Sequence, residues 1–253
     1  ENRWQRTIAP EALGLRRLGM AASSIVVHSE EERGRLAGRV PDAKVEVVPH
    51  FVEKRAALPE REASRASLGL ADKRIITLLG HMIKRRGHKL VIEALRELPE
   101  DVFALFVGAP LRGREYMVDQ FKAFAVENGV EDRTRFMGFV PEEELERVLA
   151  ATDVALAPYR SMSASGALAT LISAGRPIVT SDLPQFRELG AMEPGAFHSF
   201  RPYKSEQLAA AVEAALAVAG DEPDPHVEAL ARRLSTTRVV DRYAGLYRAA
   251  ATP

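Results

Sequence analysis

The sequence predicts an α/β fold built on a doubly wound, Rossmann-like parallel sheet. From about residue 70 to residue 220, short apolar runs rich in β-branched residues alternate with longer segments of helical periodicity. Each short run is too hydrophobic to have one face in water, which is typical of parallel strands covered by helices on both sides. Together the alternation and the lack of a wet face favour a doubly wound sheet.

The predicted elements of this sheet follow one another in a regular order. The run 75–79 ends at Gly80, and the apolar residues of 88–97 then recur at helical spacing. Pro141 and the three glutamates after it begin a further helix, because proline and acidic residues are favoured in a first turn. The other predicted strands are 102–107, 134–137, 154–156, 177–180 and a weaker 196–199, and the other predicted helices are 114–127, 165–174 and 209–219.

A smaller block precedes this sheet. Apolar runs at 24–28 and 45–48 predict two strands, and Ser29 is placed to cap a helix that begins at Glu30. Because one βαβ unit does not fold alone, the block is interpreted as the end of a neighbouring domain. The chain starts at Glu1 without Met or a signal-peptide pattern, so we expect a fragment of a longer protein and a cytoplasmic location.

Composition narrows the classes of function. The 253 residues include no cysteine, which excludes disulfides and thiolate chemistry. Lys and Arg total 35 and so do Asp and Glu, and this balance argues against a nucleic-acid partner. No apolar run approaches the roughly 18–20 residues of a membrane span. The histidines have no metal-ligand spacing, so no metal and no cofactor are expected.

A basic loop follows the first strand of the predicted sheet. Lys84, Arg85 and Arg86 precede Gly87 and the start of a helix, at the edge where open α/β sheets bind ligands. Arginine offers a two-pronged donor to phosphate oxygens, and glycine lets the backbone approach an anion. The alternative is a solvated basic loop. His81, in the same loop, either contacts a ligand or is an ordinary loop histidine.

A hydroxyl-rich loop follows the fourth strand. Ser163 and Ser165 lie just before Gly166, where hydroxyls and backbone N–H groups can hold phosphate. Ordinary capping of the next helix by either serine explains the same residues, and both roles are compatible. Tyr159, at the end of the same strand, either stacks on a ligand or packs.

These segments, in this order, carry a resemblance to a known family. "LLGHMIKRRGHKLVIEAL", "RTRFMGFVPEEELERVLAATDVALAPYR", "SGALATLISAGRPIVTSDLPQFREL" and "STTRVVDRYAGLYRAA" are similar to motifs of the C-terminal, donor-binding domain of group 1 retaining glycosyltransferases of GT-B fold. The resemblance implies three parts: 1–53 as the tail end of the N-terminal domain and the hinge, 54–222 as a Rossmann-like nucleotide-sugar-binding domain, and 223–253 as helices that pack back toward the N-terminal domain.

The resemblance also assigns roles by position. Gly80 and Gly87 are retained, whereas His81 and Arg86 stand where the family has the arginine and lysine that bind the donor diphosphate. Met162 and Thr170 stand where the family has two glutamates, of which the first contacts the donor sugar and the second contacts the ribose. Donor handling therefore differs from the family's pattern, or catalysis is weak or absent.

The implied function is transfer of a sugar from a nucleotide-diphosphate sugar to an acceptor hydroxyl, with the anomeric configuration retained. The implied partners are that donor, a carbohydrate, lipid or protein acceptor, and the missing N-terminal domain. No catalytic residue is assigned. The alternative, motivated by the two replaced glutamates, is a non-catalytic GT-B-like subunit or nucleotide-binding interaction module. An epimerase or a phosphorylase on the same fold is a weaker third possibility, since no signature of either is present.

Overall fold

The computed structural model describes residues 10–251, which divide into two compact units. One unit contains residues 10–51 and 234–251, and the other is Val52–Arg233. Residues 1–9 of the predicted segment 1–53 and residues 252–253 of the predicted segment 223–253 lie outside the described part of the chain. The domain boundaries at 53 and 222 stay predictions.

The first unit is built around a pair of short parallel strands. Its elements are α1 (Pro10–Ala21), β1 (Ile25–Val27), α2 (Glu30–Leu36), β2 (Val45–Val47) and the C-terminal helix Thr236–Ala251. The predicted cap is confirmed, because the Ser29 hydroxyl accepts a hydrogen bond from the backbone N–H of Glu32. Arg242 of the C-terminal helix donates to the carbonyl of Val47 at 2.7 Å.

The second unit contains a six-stranded sheet, and this confirms the predicted fold class. All five strand pairs are parallel, and the strand order is β5-β4-β3-β6-β7-β8. The weak sixth strand is present at the edge. The strands are β3 (Arg74–Leu79), β4 (Val102–Val107), β5 (Thr134–Gly138), β6 (Val154–Ala157), β7 (Ile178–Ser181) and β8 (Phe197–Phe200).

Helices cover both faces of this sheet. Ile76 and Leu78 of β3 belong to the core formed with the helices after β3, β4 and β8. Thr77 points to the opposite face, where its hydroxyl lies 2.7 Å from that of Thr152 at the end of the helix after β5. The helices are α3 (Arg61–Ser67), α4 (His88–Ala94), α5 (Tyr116–Glu127), α6 (Glu142–Ala151), α7 (Gly166–Ser173), α8 (Pro184–Met192), α9 (Ser205–Val218) and α10 (Pro225–Arg233).

The short helix α3 was not predicted from the sequence. It is polar and has no apolar period, but the Glu60 carboxylate caps it by accepting from two backbone N–H groups. Its two arginines, Arg61 and Arg65, hold the buried carboxylate of Asp153, which also accepts from the backbone N–H of Ile75. Ion pairs that are distant in sequence therefore hold α3 on the unit.

The strand order reverses direction between β3 and β6. The chain runs outward through β4 and β5 on one side and through β7 and β8 on the other. The loops after β3 and β6 therefore lie side by side at the reversal point, on the carboxyl edge of the sheet, which is where open α/β sheets bind ligands. These two loops carry the predicted site residues except Thr170, which lies within α7.

Candidate functional site

Arg86 connects the two loops at this reversal point. The residues Lys84–Arg86 form a single 3₁₀ turn after β3, and Gly87 then begins α4. The Arg86 guanidinium donates to the hydroxyl of Ser165, in the loop after β6, at 3.0 Å. The structure thus brings together one residue from each of the two predicted loops.

The aromatic ring of Tyr159 lies beneath the Arg86 guanidinium. The Cζ atom of Arg86 is 4.2 Å from the ring centroid, within the range of a cation–π contact. Burial raises the pKa of Tyr159, although Arg86 and Ser165 oppose this rise, so the phenol is neutral at neutral pH. Among residues 10–251, no carboxylate forms an ion pair with Arg86. Its positive charge is oriented but not neutralised.

Two glycines allow the loops to meet backbone to backbone. Gly87 has φ of +87°, and a Cβ atom there would lie 2.3 Å from the carbonyl oxygen of Pro158. Gly108, after β4, has φ of +130°, and its Cβ atom would lie 2.2 Å from the carbonyl oxygen of Gly80. Since real Cβ atoms do not approach so closely, the loops after β3, β4 and β6 keep this arrangement only with glycine at both positions.

Ser165 has two contacts at the start of α7. Its hydroxyl accepts from the backbone N–H of Leu168 at 3.2 Å and from Arg86, so the predicted capping role is confirmed for Ser165. Both contacts use the oxygen as an acceptor, and a hydroxyl also carries one hydrogen to donate. The same serine therefore caps the helix and fixes Arg86.

The other predicted donor-site residues have varied surroundings. Gly80 lies beside Arg86, because a Cβ atom there would be 3.4 Å from the guanidinium carbon. Met162 is buried, and its carbonyl accepts from the Gln185 amide at 2.8 Å. Thr170 is half-buried in the middle of α7. The residues His81, Lys84, Ser163 and Gly166 are exposed.

A buried histidine adjoins the loop and was not predicted as a site residue. His88 is the first residue of α4, and its ring stacks on Phe121 at 4.7 Å and on Phe106 at 5.6 Å. Burial lowers the pKa of His88 to about 4, so the ring is uncharged at neutral pH. His88 therefore belongs to the core that supports the loop.

Within residues 10–251, no three His, Cys, Asp or Glu side chains lie close enough together to hold a metal ion. No helix in that range combines the length and the apolarity that crossing a membrane requires.

The chain is similar to curated glycosyltransferases of bacteria. It is 29% identical over 158 residues to the GDP-mannose-dependent alpha-(1-6)-phosphatidylinositol monomannoside mannosyltransferase of Mycolicibacterium smegmatis, which covers 59% of this chain and 40% of that protein. It is 26% identical over 174 residues to the D-inositol 3-phosphate glycosyltransferase of Mycobacterium sp. (strain KMS), which covers 67% of this chain and 39% of that protein. The chain thus spans about two fifths of the length of these relatives.

Structural comparison supports the same fold. The crystal structure of Anabaena Alr3699/HepE in complex with UDP and glucose matches with a TM-score of 0.81 and 18% identity, over 94% of this chain and 66% of that chain. The family model for group 1 glycosyl transferases matches residues 73–218, more than half of the chain and the whole of the six-stranded sheet. The resemblance found in the sequence is confirmed, and the chain belongs to the group 1 glycosyltransferase family.

Proposed function

We propose that this chain binds the nucleotide-diphosphate sugar donor of a retaining glycosyltransferase, which transfers the sugar to an acceptor hydroxyl. The observation that carries the proposal is the Arg86 guanidinium, which is held between Ser165 and Tyr159 at the reversal point of the sheet and has no carboxylate partner in the described chain. A fixed, uncompensated guanidinium at this edge suits a diphosphate, which it can bind in a bidentate manner.

The donor class is consistent with the names of similar proteins. The mannosyltransferase of M. smegmatis is named as GDP-mannose-dependent, and the Anabaena protein was solved with UDP and glucose. Both names involve a nucleoside diphosphate. We therefore expect the chain to bind the phosphates of a nucleoside diphosphate. Other residues of the site would select the base and the sugar.

The proposed mechanism is electrostatic. When the sugar leaves its nucleotide, negative charge develops on the departing diphosphate, and donors fixed in advance stabilise that charge without reorganising. The Arg86 guanidinium is such a donor, because Ser165 and Tyr159 hold it in place. In this proposal protein groups, and not a metal ion, hold the diphosphate.

A specific observation favours a second candidate function. Met162 and Thr170 replace the two glutamates that the family pattern places at the donor sugar and ribose, and the Met162 side chain is buried. A carboxylate contact to the sugar is therefore missing at this position. On this alternative, the protein is a non-catalytic GT-B-like subunit that binds a nucleotide or a partner.

One experiment tests the proposal and separates it from this alternative. The chain is titrated with UDP, GDP and ADP, and the protein with its full reading frame is then supplied with the matching nucleotide sugars and a panel of acceptor sugars. Binding of one diphosphate and formation of a glycoside with the donor's anomeric configuration support the proposal. Binding without turnover supports the non-catalytic subunit, and no binding of any diphosphate at millimolar concentration contradicts the proposal.

A further inference from the structure

A second cavity lies beside the candidate donor site, at the same edge of the sheet. Its volume is about 300 Å³, and it lies among the loops that follow β6, β7 and β8. Its lining includes Tyr159, Arg160, Asp182, Phe200, Arg201 and Tyr203. Neither the family model's description nor the names of similar proteins assign a role to this cavity.

Arg160 is the best-oriented cation of this cavity. Its guanidinium carbon is 4.5 Å from the ring centroid of Tyr203, whose hydroxyl donates to the carbonyl of Pro158 at 2.7 Å. The backbone N–H of Arg160 donates to the carbonyl of Arg85 at 2.8 Å, so the cavity adjoins the basic loop that follows β3. Within residues 10–251, no carboxylate pairs with Arg160. Stacking on an aromatic face leaves the edge of a guanidinium free to bind an oxyanion.

The cavity carries a surplus of positive charge. Its one carboxylate, Asp182, is bound at both oxygens by Arg187, at 2.5 and 2.7 Å. The hydrogen bond from Arg187, followed by its charge, lowers the pKa of Asp182, which is therefore ionised but compensated. Arg201 is 3.6 Å from Asp182 and its side chain is 81% exposed. Arg187 and Asp182 cancel, so Arg160 and Arg201 leave two positive charges.

We propose that this cavity binds a phosphate group carried by the acceptor, while Arg86 holds the donor diphosphate. The inference rests on the proposed function. The two cations are separate, because Arg86 lies on the ring of Tyr159 whereas Arg160 lies on the ring of Tyr203. A nucleotide sugar brings one diphosphate, and Arg86 accounts for it. A second oxyanion site at the same edge is therefore assigned to the other substrate.

The experiment measures phosphate binding while the donor site is filled. The chain is saturated with a nucleoside diphosphate and then titrated with inorganic phosphate in a calorimeter. Because the first site is filled, any heat of binding comes from phosphate at a second site. We expect phosphate to bind, and glucose 6-phosphate to compete with it. The double variant Arg160→Gln, Arg201→Gln should weaken phosphate binding by about tenfold or more, since it removes both charged donors of the cavity.

Matched variants make the outcomes distinct. Arg232→Gln, an exposed arginine of α10, should change neither affinity, and the double variant should leave the diphosphate affinity within about twofold. The proposal is overturned if phosphate does not bind the diphosphate-saturated chain, or if the double variant binds phosphate as tightly as wild type does. It is also overturned if the double variant loses as much affinity for the diphosphate as for phosphate. Binding of phosphate without competition by glucose 6-phosphate indicates a free-phosphate site and also overturns it.

A failure of the proposed function gives a different result from a failure of this second proposal. If no nucleoside diphosphate binds the wild-type chain, phosphate is titrated into Arg86→Gln, in which the first site is disabled. Phosphate binding that depends on Arg160 and Arg201 would then show the second site to exist without the donor function. If phosphate does not bind Arg86→Gln, the proposed role of the cavity is overturned as well.

Discussion

Replacing Gly87 by alanine tests the packing on which the candidate donor site depends. Gly87 has φ of +87°, and an added Cβ atom would lie 2.3 Å from the backbone oxygen of Pro158. A left-handed conformation costs an L-residue about 1–2 kcal/mol. Forcing the loop of Pro158 aside adds about 1–3 kcal/mol, as in other overpacked sites. We therefore expect Gly87→Ala to lower the free energy of unfolding by about 2–5 kcal/mol.

Thermal unfolding followed by circular dichroism measures this effect. For a chain of this size, each kcal/mol lowers the Tm by about 2–4 °C, so a fall of about 5–15 °C is expected. Gly166→Ala is the matched control, because Gly166 begins α7 and a Cβ atom there meets nothing within 4 Å. The control should melt within a few degrees of wild type. If both variants melt together, the close approach of the two loops is refuted.

Three further predictions address single side chains. Ser165→Ala removes a helix cap and should cost about 0.5–2 kcal/mol in urea unfolding, with weaker diphosphate binding because Arg86 loses its partner. His88 has a pKa of about 4 against 6.5 in the unfolded chain, so below pH 6.5 the unfolded state takes up the proton first. Unfolding free energy should therefore fall by about 2 kcal/mol from pH 7 to pH 5, and His88→Phe should abolish this part of the fall. Asp153→Asn removes the buried carboxylate that Arg61 and Arg65 share, although Arg61 keeps its pair with Asp221, and should cost about 3 kcal/mol in the same urea assay.

The controls for these predictions come from the surface of the same unit. Glu143→Gln breaks the exposed pair with Arg147 and should change stability by less than about 1 kcal/mol. If Asp153→Asn behaves like Glu143→Gln, the buried network does not hold α3. If wild type and His88→Phe show the same loss between pH 7 and pH 5, the titrating group lies elsewhere.

The strands and the basic loop 84–86 were predictable because their signals are local. Apolar runs such as 75–79 and 102–107 need only their own composition to be recognised as buried strands. The basic loop at Arg86 follows from its place between a strand and a helix, and Ser165 from its place before a helix. The order of these local signals along the chain resembles that of a known family, and this resemblance indicates how the elements are arranged in one fold.

The remaining features depend on contacts between residues that are far apart in sequence. Helix α3 has no apolar period and is anchored by Asp153, more than 80 residues later. The ring of Tyr203 beneath Arg160 lies two strands further along the chain. For Tyr159 the sequence allows both stacking on a ligand and packing, and only the loop geometry places its ring under Arg86. Contacts between side chains that are distant in sequence produce no periodic pattern, so they cannot be predicted from one sequence.

The most direct test of the central claim compares a nucleoside diphosphate with its nucleoside. The claim is that Arg86, fixed by Ser165 and Tyr159, binds the donor's phosphates. Calorimetry on wild type and Arg86→Gln should show a loss of about tenfold in affinity for the diphosphate and no change for the nucleoside. Equal affinities of the two proteins for the diphosphate would contradict the claim.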